Sequence, residues 1–199
     1  MLKILIIGAV LGALLFYSFR RLKQSFSVDS SPKLKSGFIQ LDADSGDTNR
    51  AIRSTMMTVA TGLILLVITL LLGMKIKILF ILLPIACYLI GQVFLLANHL
   101  NALRKNHVWF NPETSTLWME PIGEPAFTLN IYQDVKKVDL VIAVQQNRSV
   151  LFGYYNLHTK NGSIKLPSLL AENAGNNFFF NTLREGFEIK STRSLFPLL

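Results

Sequence analysis

The chain has 199 residues, 51% of them hydrophobic and only 16% charged, where an ordinary soluble domain carries roughly 25% charged residues. The net charge of +8 does not point to nucleic acid: from Arg104 onward ten Lys and Arg stand against eight Asp and Glu, a net of +2, and the remaining positive residues gather at the ends of apolar runs. Cys87 is the single cysteine, which excludes an intrachain disulfide and a cysteine-based zinc site and reads as a small buried hydrophobe.

Three apolar runs fill the first half of the chain. The first, Ile4 to Phe19, is uncharged, follows Lys3 and stops at Arg20, Arg21 and Lys23. About 16 residues is near the short end for crossing the hydrocarbon. A cleavable signal peptide is the competing reading, but no small-x-small site precedes the basic cluster, and a retained helix is expected. The second run, Thr55 to Gly73, extends about 28 Å as a helix, which matches the hydrocarbon core. The third, Ile78 to Asn98, follows only Met74-Lys75-Ile76-Lys77, so these two helices return antiparallel as a hairpin. Pro84 removes a backbone donor within the third run and predicts a kink there.

Lys and Arg beside the runs set the orientation. Arg20, Arg21, Lys23, Arg50, Arg53, Arg104 and Lys105 fall on one side, against Lys3, Lys75 and Lys77 on the other. The richer side is predicted to be cytoplasmic, and the part after Arg104 lies there. Gly8 with Gly12, and Cys87 with Gly91, repeat the small-residue spacing of close helix contacts, although glycine is frequent in spanning helices anyway. Gln92, Asn98 and Asn101 read as interhelical hydrogen-bonding amides.

Between the first two runs, residues 24–49 are rich in Ser, Asp, Gly and Lys and read as a cytoplasmic linker with a short strand at Gly37 to Leu41. Asp42, Asp44 and Asp47 have the alternation of a calcium loop but no acidic residue at its closing position, so a solvated acidic turn is expected.

From Val108 the pattern changes to short runs of Val, Ile, Phe, Tyr and Trp. Val108-Trp109-Phe110 and Thr116-Leu117-Trp118-Met119 flank Asn111-Pro112-Glu113-Thr114, a hairpin by its turn chemistry. Ala126 to Leu129 predicts a third strand, Ile131 to Lys137 a turn or short helix, and Val138 to Val144 a fourth strand. Val150 to Thr159 and Ser163 to Leu166 flank Lys160-Asn161-Gly162, a second hairpin whose turn suits positive φ. Leu169, Leu170, Phe178, Phe179, Phe180 and Leu183 give the last element, Pro167 through Gly186, an apolar helical face. The closing Phe196-Pro197-Leu198-Leu199 either docks or frays.

No P-loop, nucleophile elbow, HExxH or dinucleotide fingerprint is present, and no carboxylate lies inside a run. His99 and His107 stand eight residues apart and would share a face only if the helix continued through both; without a third ligand, solvated or backbone-bonded rings are expected. His158 reads as a strand residue facing water. No catalytic, cofactor or metal residue is assigned.

The helix hairpin, the strand pair beginning Val108-Trp109-Phe110, the segment Phe127 to Val138, the second hairpin and a Leu-rich final helix together resemble the bacterial membrane-anchored pleckstrin-homology-like (PH-like) proteins, over roughly residues 52–189. The resemblance implies a curved antiparallel sheet capped by one C-terminal helix and carries no catalytic residues over. The fold class expected is therefore three transmembrane helices plus an α+β PH-like domain. Residues 1–23 would form the first helix and its basic flank, 24–49 the linker, 50–105 the hairpin and 106–199 the PH-like domain.

The function expected is a membrane-anchored, non-enzymatic binding or scaffold protein of a bacterial inner membrane, with its PH-like domain in the cytoplasm. Its partners would be the bilayer and another protein. Lipid-headgroup contacts would come from Arg20, Arg21, Lys23, Arg104 and Lys105, and domain-surface contacts from Lys136, Lys137 and Arg148. The alternatives are an immunity or inhibitor protein that neutralises a toxin at the membrane, and an accessory subunit of a transport or secretion complex.

Overall fold

The computed structural model describes residues 36–73, 75–145, 150–160 and 162–199. The first apolar run, with Gly8, Gly12 and the basic residues behind it, lies outside these residues.

Helix α1 spans Ser45–Gly73. Asp44 sets its start: its Oδ2 accepts from the backbone N–H of Gly46 at 2.8 Å and of Asp47 at 3.3 Å, covering donors that the first helical turn leaves open. The helix therefore begins inside the stretch read as linker. So does the domain: strand β1, Ile39–Gln40, pairs with a later strand, and Leu41 is buried in the core. The three aspartates form no common acidic turn. Asp44 caps, Asp47 pairs with Arg50, and half-buried Asp42 accepts from the Gln40 amide.

The third apolar run divides in two. Lys77–Leu82 winds as a 3-10 helix, and α2 follows at Leu83–Lys105 with Pro84 in its first turn. The expected mid-helix kink is replaced by a helix start, because a first-turn proline has no intrahelical hydrogen bond to lose. Helices α1 and α2 pack most tightly at Gly62, where an added Cβ would stand 2.7 Å from the Cβ of Leu89. That contact, and not the spacing of Cys87 and Gly91, brings the helices together; Cys87 is exposed and Gly91 faces Phe196.

Strand β2, Asn106–Asn111, follows α2 directly. Helix α2 ends at Lys105, so His107 belongs to a strand and shares no helical face with His99. Strand β3, Thr116–Pro121, pairs with β2 so that Trp109 opposes Trp118 and Phe110 opposes Leu117. Asn111 Oδ1 accepts from the N–H groups of Glu113 and Thr114 and fixes the expected turn. Strand β4, Phe127–Asn130, completes an antiparallel sheet of order β1-β2-β3-β4. Asn130 then caps the one-turn helix α3, Ile131–Asp134, accepting from Tyr132 and Gln133 while its own N–H donates to Asp134 Oδ2.

The second sheet is built from β5 (Val135–Ala143), β6 (Gly153–Thr159), β7 (Gly162–Pro167) and β8 (Lys190–Ser194), in the order β7-β6-β5-β8. Strand β8 runs parallel to β5 and was not foreseen, so the domain holds two four-stranded sheets with one parallel pair, not a single antiparallel sheet. Between β7 and β8, two 3-10 turns at Ser168–Ala171 and Ala174–Asn176 lead into helix α4, Asn177–Gly186. The final helix is thus shorter at its start than its apolar face suggested.

Phe110 and Leu117 of the first sheet, Val138, Leu157 and Leu166 of the second, and Phe179, Phe180 and Leu183 of α4 share one core. Asn176 ties the far end together, donating to the carbonyls of Asp42 at 2.9 Å and Leu170 at 2.7 Å, while Asn173 also donates to Asp42. A second cluster joins Ala51 of α1 and Leu95, Leu96 and Leu100 of α2 to Ala143, Val150, Phe152 and Leu169 of the domain. The helix hairpin and the domain are therefore one packed body, because the same side chains belong to both.

Candidate functional site

Beyond that shared cluster the hairpin turns outward. From Met57 along α1, and back from Phe94 along α2, large apolar side chains are exposed: Ile64, Leu70 and Leu72 on one helix, Ile78, Ile81 and Ile85 on the other arm. Two helical stretches, Ser45–Gly73 and Lys77–Lys105, are long and apolar enough to cross a membrane, and only 22% and 17% of their most apolar windows are buried within the chain. The core helix of a soluble protein would be covered; these are not. The segment Met57–Gly73 alone extends about 25 Å, close to the hydrocarbon thickness.

The basic residues take different positions. Arg20, Arg21, Lys23 and Arg148 lie outside the described residues. Arg104 and Lys105 occupy the last turn of α2, where positive side chains complement the helix dipole. Arg104 is half-buried and Lys105 exposed, and the carbonyl of Lys105 accepts from Ile122 N–H at 2.7 Å. Lys136 and Lys137 sit on β5 at an irregularity in its pairing with β6, and both side chains emerge into solvent. They are not equivalent: Lys137 Nζ lies 2.8 Å from Asp139 Oδ2, so half of this pair's charge is compensated on the spot.

Asp139 also lies 3.0 Å from His158 Nε2 on the neighbouring strand, so His158 is held by a hydrogen-bond partner and does not simply face water. The hydrogen bond from Lys137, followed by that from His158, holds the Asp139 carboxyl below its ordinary range. Burial does the opposite to Asp42, raising its pKa against the pull of the Gln40 hydrogen bond and the nearby His107. Among the described residues no group of three His, Cys, Asp or Glu side chains is placed to hold a metal ion.

Residues 196–199, left open between docking and fraying, dock along α2. Asn98, expected to bridge helices, instead brackets Leu199, its Oδ1 accepting from the Leu199 N–H at 2.8 Å and its Nδ2 donating to the Leu199 carbonyl at 3.4 Å. His99 is fully buried, stacked obliquely on Phe152 with its Nε2 3.0 Å from the Pro197 carbonyl. The ring of Phe196 meets Tyr88 edge-on and covers Gly91. Lys165 donates to the Leu198 carbonyl at 3.2 Å while standing over the Tyr154 ring. Sequence reasoning missed these residues as a group; the available signal was an amide and an imidazole side by side at the end of an apolar run. Of the other two amides, Gln92 is fully buried with neither polar atom partnered among the described residues, and Asn101 is exposed.

A family model described as "PH domain" matches residues 46–175, about two thirds of the chain. The matched region runs from the start of α1 through the hairpin and strands β2 to β7 to the turns behind them, and leaves β1 before its start and α4, β8 and the docked segment beyond its end. No curated protein and no solved structure matches the chain.

Proposed function

The chain belongs to the PH-domain family, and from that premise we propose that it is a non-enzymatic binding or scaffold protein which holds its PH-like domain against a bilayer, where the domain engages a protein partner. The observation that carries this reading is the shared cluster of Ala51, Leu95, Leu96 and Leu100 with Phe152 and Leu169. A domain on a flexible tether samples many orientations, whereas one built onto the ends of two apolar helices presents a fixed face and a high local concentration to whatever lies beside the membrane. The exposed apolar surface of both helices has the length and composition of a spanning hairpin.

A protein is favoured over a phosphoinositide because the basic set on the domain is thin. Among the described residues Lys137 is engaged by Asp139, which leaves Lys136 as the uncompensated cation of that pair, and even with Arg148 the set falls short of the four to eight in lipid-binding clusters. The positive-inside count supports a cytoplasmic position for the domain.

Two measurements test the reading. The full chain in isolated membranes should stay with the pellet after alkaline carbonate washing and leave it only with detergent; release by carbonate alone would end the membrane assignment. A photo-reactive amino acid at Lys136 should trap one protein in cells, and should trap lipid only if the partner assignment is wrong. Stable isolation of the chain alone in mild detergent would count against a subunit role, and capture of a single toxic protein would favour the inhibitor role.

A further inference from the structure

The docked segment has two properties that do not belong together in water. Its side chains are apolar and open, with Leu195 60% and Leu198 49% exposed and Phe196 also exposed beyond its contact with α2. Its backbone, by contrast, is partnered from the Phe196 carbonyl onward. The Phe196 carbonyl accepts from Leu198 N–H at 3.0 Å, the Pro197 carbonyl meets His99, the Leu198 carbonyl meets Lys165, and Asn98 takes both polar groups of Leu199. Pro197 has no N–H to satisfy. Covered backbone with uncovered apolar side chains is what hydrocarbon demands of a non-helical segment, since an unpaired peptide group there has no water to turn to.

Its depth agrees. Phe196 touches Tyr88 and Gly91, which lie between Ile85 and Phe94, two of the exposed apolar residues of α2. Phe94 is 72% exposed and stands nearer the domain than Phe196 does along that helix. A bilayer that reaches Phe94 therefore also surrounds Phe196. From β8 the chain dips along α2 to Gly91 and climbs back to Asn98, where Lys165 carries its ammonium on a long stem at the upper rim, the position of a side chain reaching for headgroups.

We propose that residues 195–199 are a membrane-inserted clasp, whose Leu195, Phe196 and Leu198 side chains contact acyl chains while Asn98, His99 and Lys165 hydrogen-bond its backbone at Pro197, Leu198 and Leu199 and lock the domain to α2. This rests on the reading of α1 and α2 as a spanning hairpin. The partner is the lipid itself, and the surface is continuous with the lipid-facing surface of α2.

The test uses the full chain with Cys87→Ala, reconstituted in phosphatidylcholine and phosphatidylglycerol vesicles, with a nitroxide attached in turn at Leu195→Cys, Leu198→Cys, Phe94→Cys and Thr114→Cys. Collision with oxygen reports hydrocarbon and collision with a nickel chelate reports water. The clasp requires oxygen-to-nickel ratios at 195 and 198 several-fold above that at 114 and similar to that at 94. Water-like ratios at 195 and 198 with a lipid-like ratio at 94 would overturn the clasp and leave the hairpin reading intact. A water-like ratio at 94 would overturn the hairpin reading and the clasp with it.

Discussion

His99 Nε2 lies 3.0 Å from the carbonyl oxygen of Pro197, ninety-eight positions later in the chain, in a site from which solvent is excluded. A carbonyl can only accept, so the imidazole carries its proton on Nε2 and donates. His99→Ala removes the donor, strands the carbonyl and opens a space against Phe152. A loss of about 1–3 kcal/mol is expected, the usual penalty of an orphaned buried polar group, read as a lower unfolding midpoint in detergent by near-ultraviolet circular dichroism. His99→Gln, which can still donate, should recover part of it.

Gly62 and Gly91, two of the helix glycines that face a neighbour, should behave differently. A methyl at Gly62 would press on Leu89 Cβ at 2.7 Å and on the backbone of Ala86 and Ile90 at 3.1 Å, so the helices must separate. Gly62→Ala is expected to cost about 1–3 kcal/mol by overpacking. At Gly91 the added methyl meets only the tip of the Phe196 ring at 3.3 Å, which a side-chain rotation relieves. Gly91→Ala should leave the thermal midpoint nearly unchanged, and a pair of equal losses would contradict the packing described.

Asn176 is buried and bridges two carbonyls from distant parts of the chain, those of Asp42 and Leu170. Asn176→Leu keeps the branched shape of the side chain and abolishes both hydrogen bonds. A loss of about 1–3 kcal/mol is expected. Backbone amide exchange should rise at residues 39–42 before it rises in α4, because Asn176 anchors the first strand more than its own helix.

Asp139 and Asp42 should shift stability with pH in opposite senses. The Asp139 pKa is depressed in the fold by Lys137 and then His158, so its contribution is complete above the ordinary value of 3.8 and is lost as pH falls through the lower folded value. Asp42 is raised by burial, so the folded protein takes up its proton first and stability declines as pH rises from 3.8 through the higher folded value. Asp139→Asn should therefore destabilise at neutral pH with a deficit that closes in acid. Asp42→Asn, which can still accept from Gln40, should stabilise at neutral pH with a gain that closes in acid. Urea unfolding in detergent across pH 2.5 to 7 checks both, and parallel curves for variant and parent would contradict the assignment.

Much of the domain was readable from local chemistry. Asn111 announced its own turn because its side chain bonds the next two backbone groups that form it, and Gly162 suits the positive φ of 146° that closes the β6–β7 hairpin. Strands β2, β3 and β4 fell near their expected places, since alternation and turn residues act over only a few positions. The misreadings arose where one residue type serves two purposes. Pro84 breaks a helix in mid-run but starts one at a first turn, and Asp44 reads as part of a solvated acidic turn but caps α1.

The sequence by itself determined that two long uncharged stretches would form helices with apolar surfaces and that the region after them would be strands joined by short turns, because period and turn chemistry are properties of neighbouring residues. Only the tertiary structure decided that β8 lies parallel to β5, that Asp42 is tied to Asn176, and that residues 195–199 lie on α2 beside Asn98 and His99. Each of those joins positions about fifty or more residues apart, where geometry is set by the summed packing of a whole core and no local pattern specifies the partner.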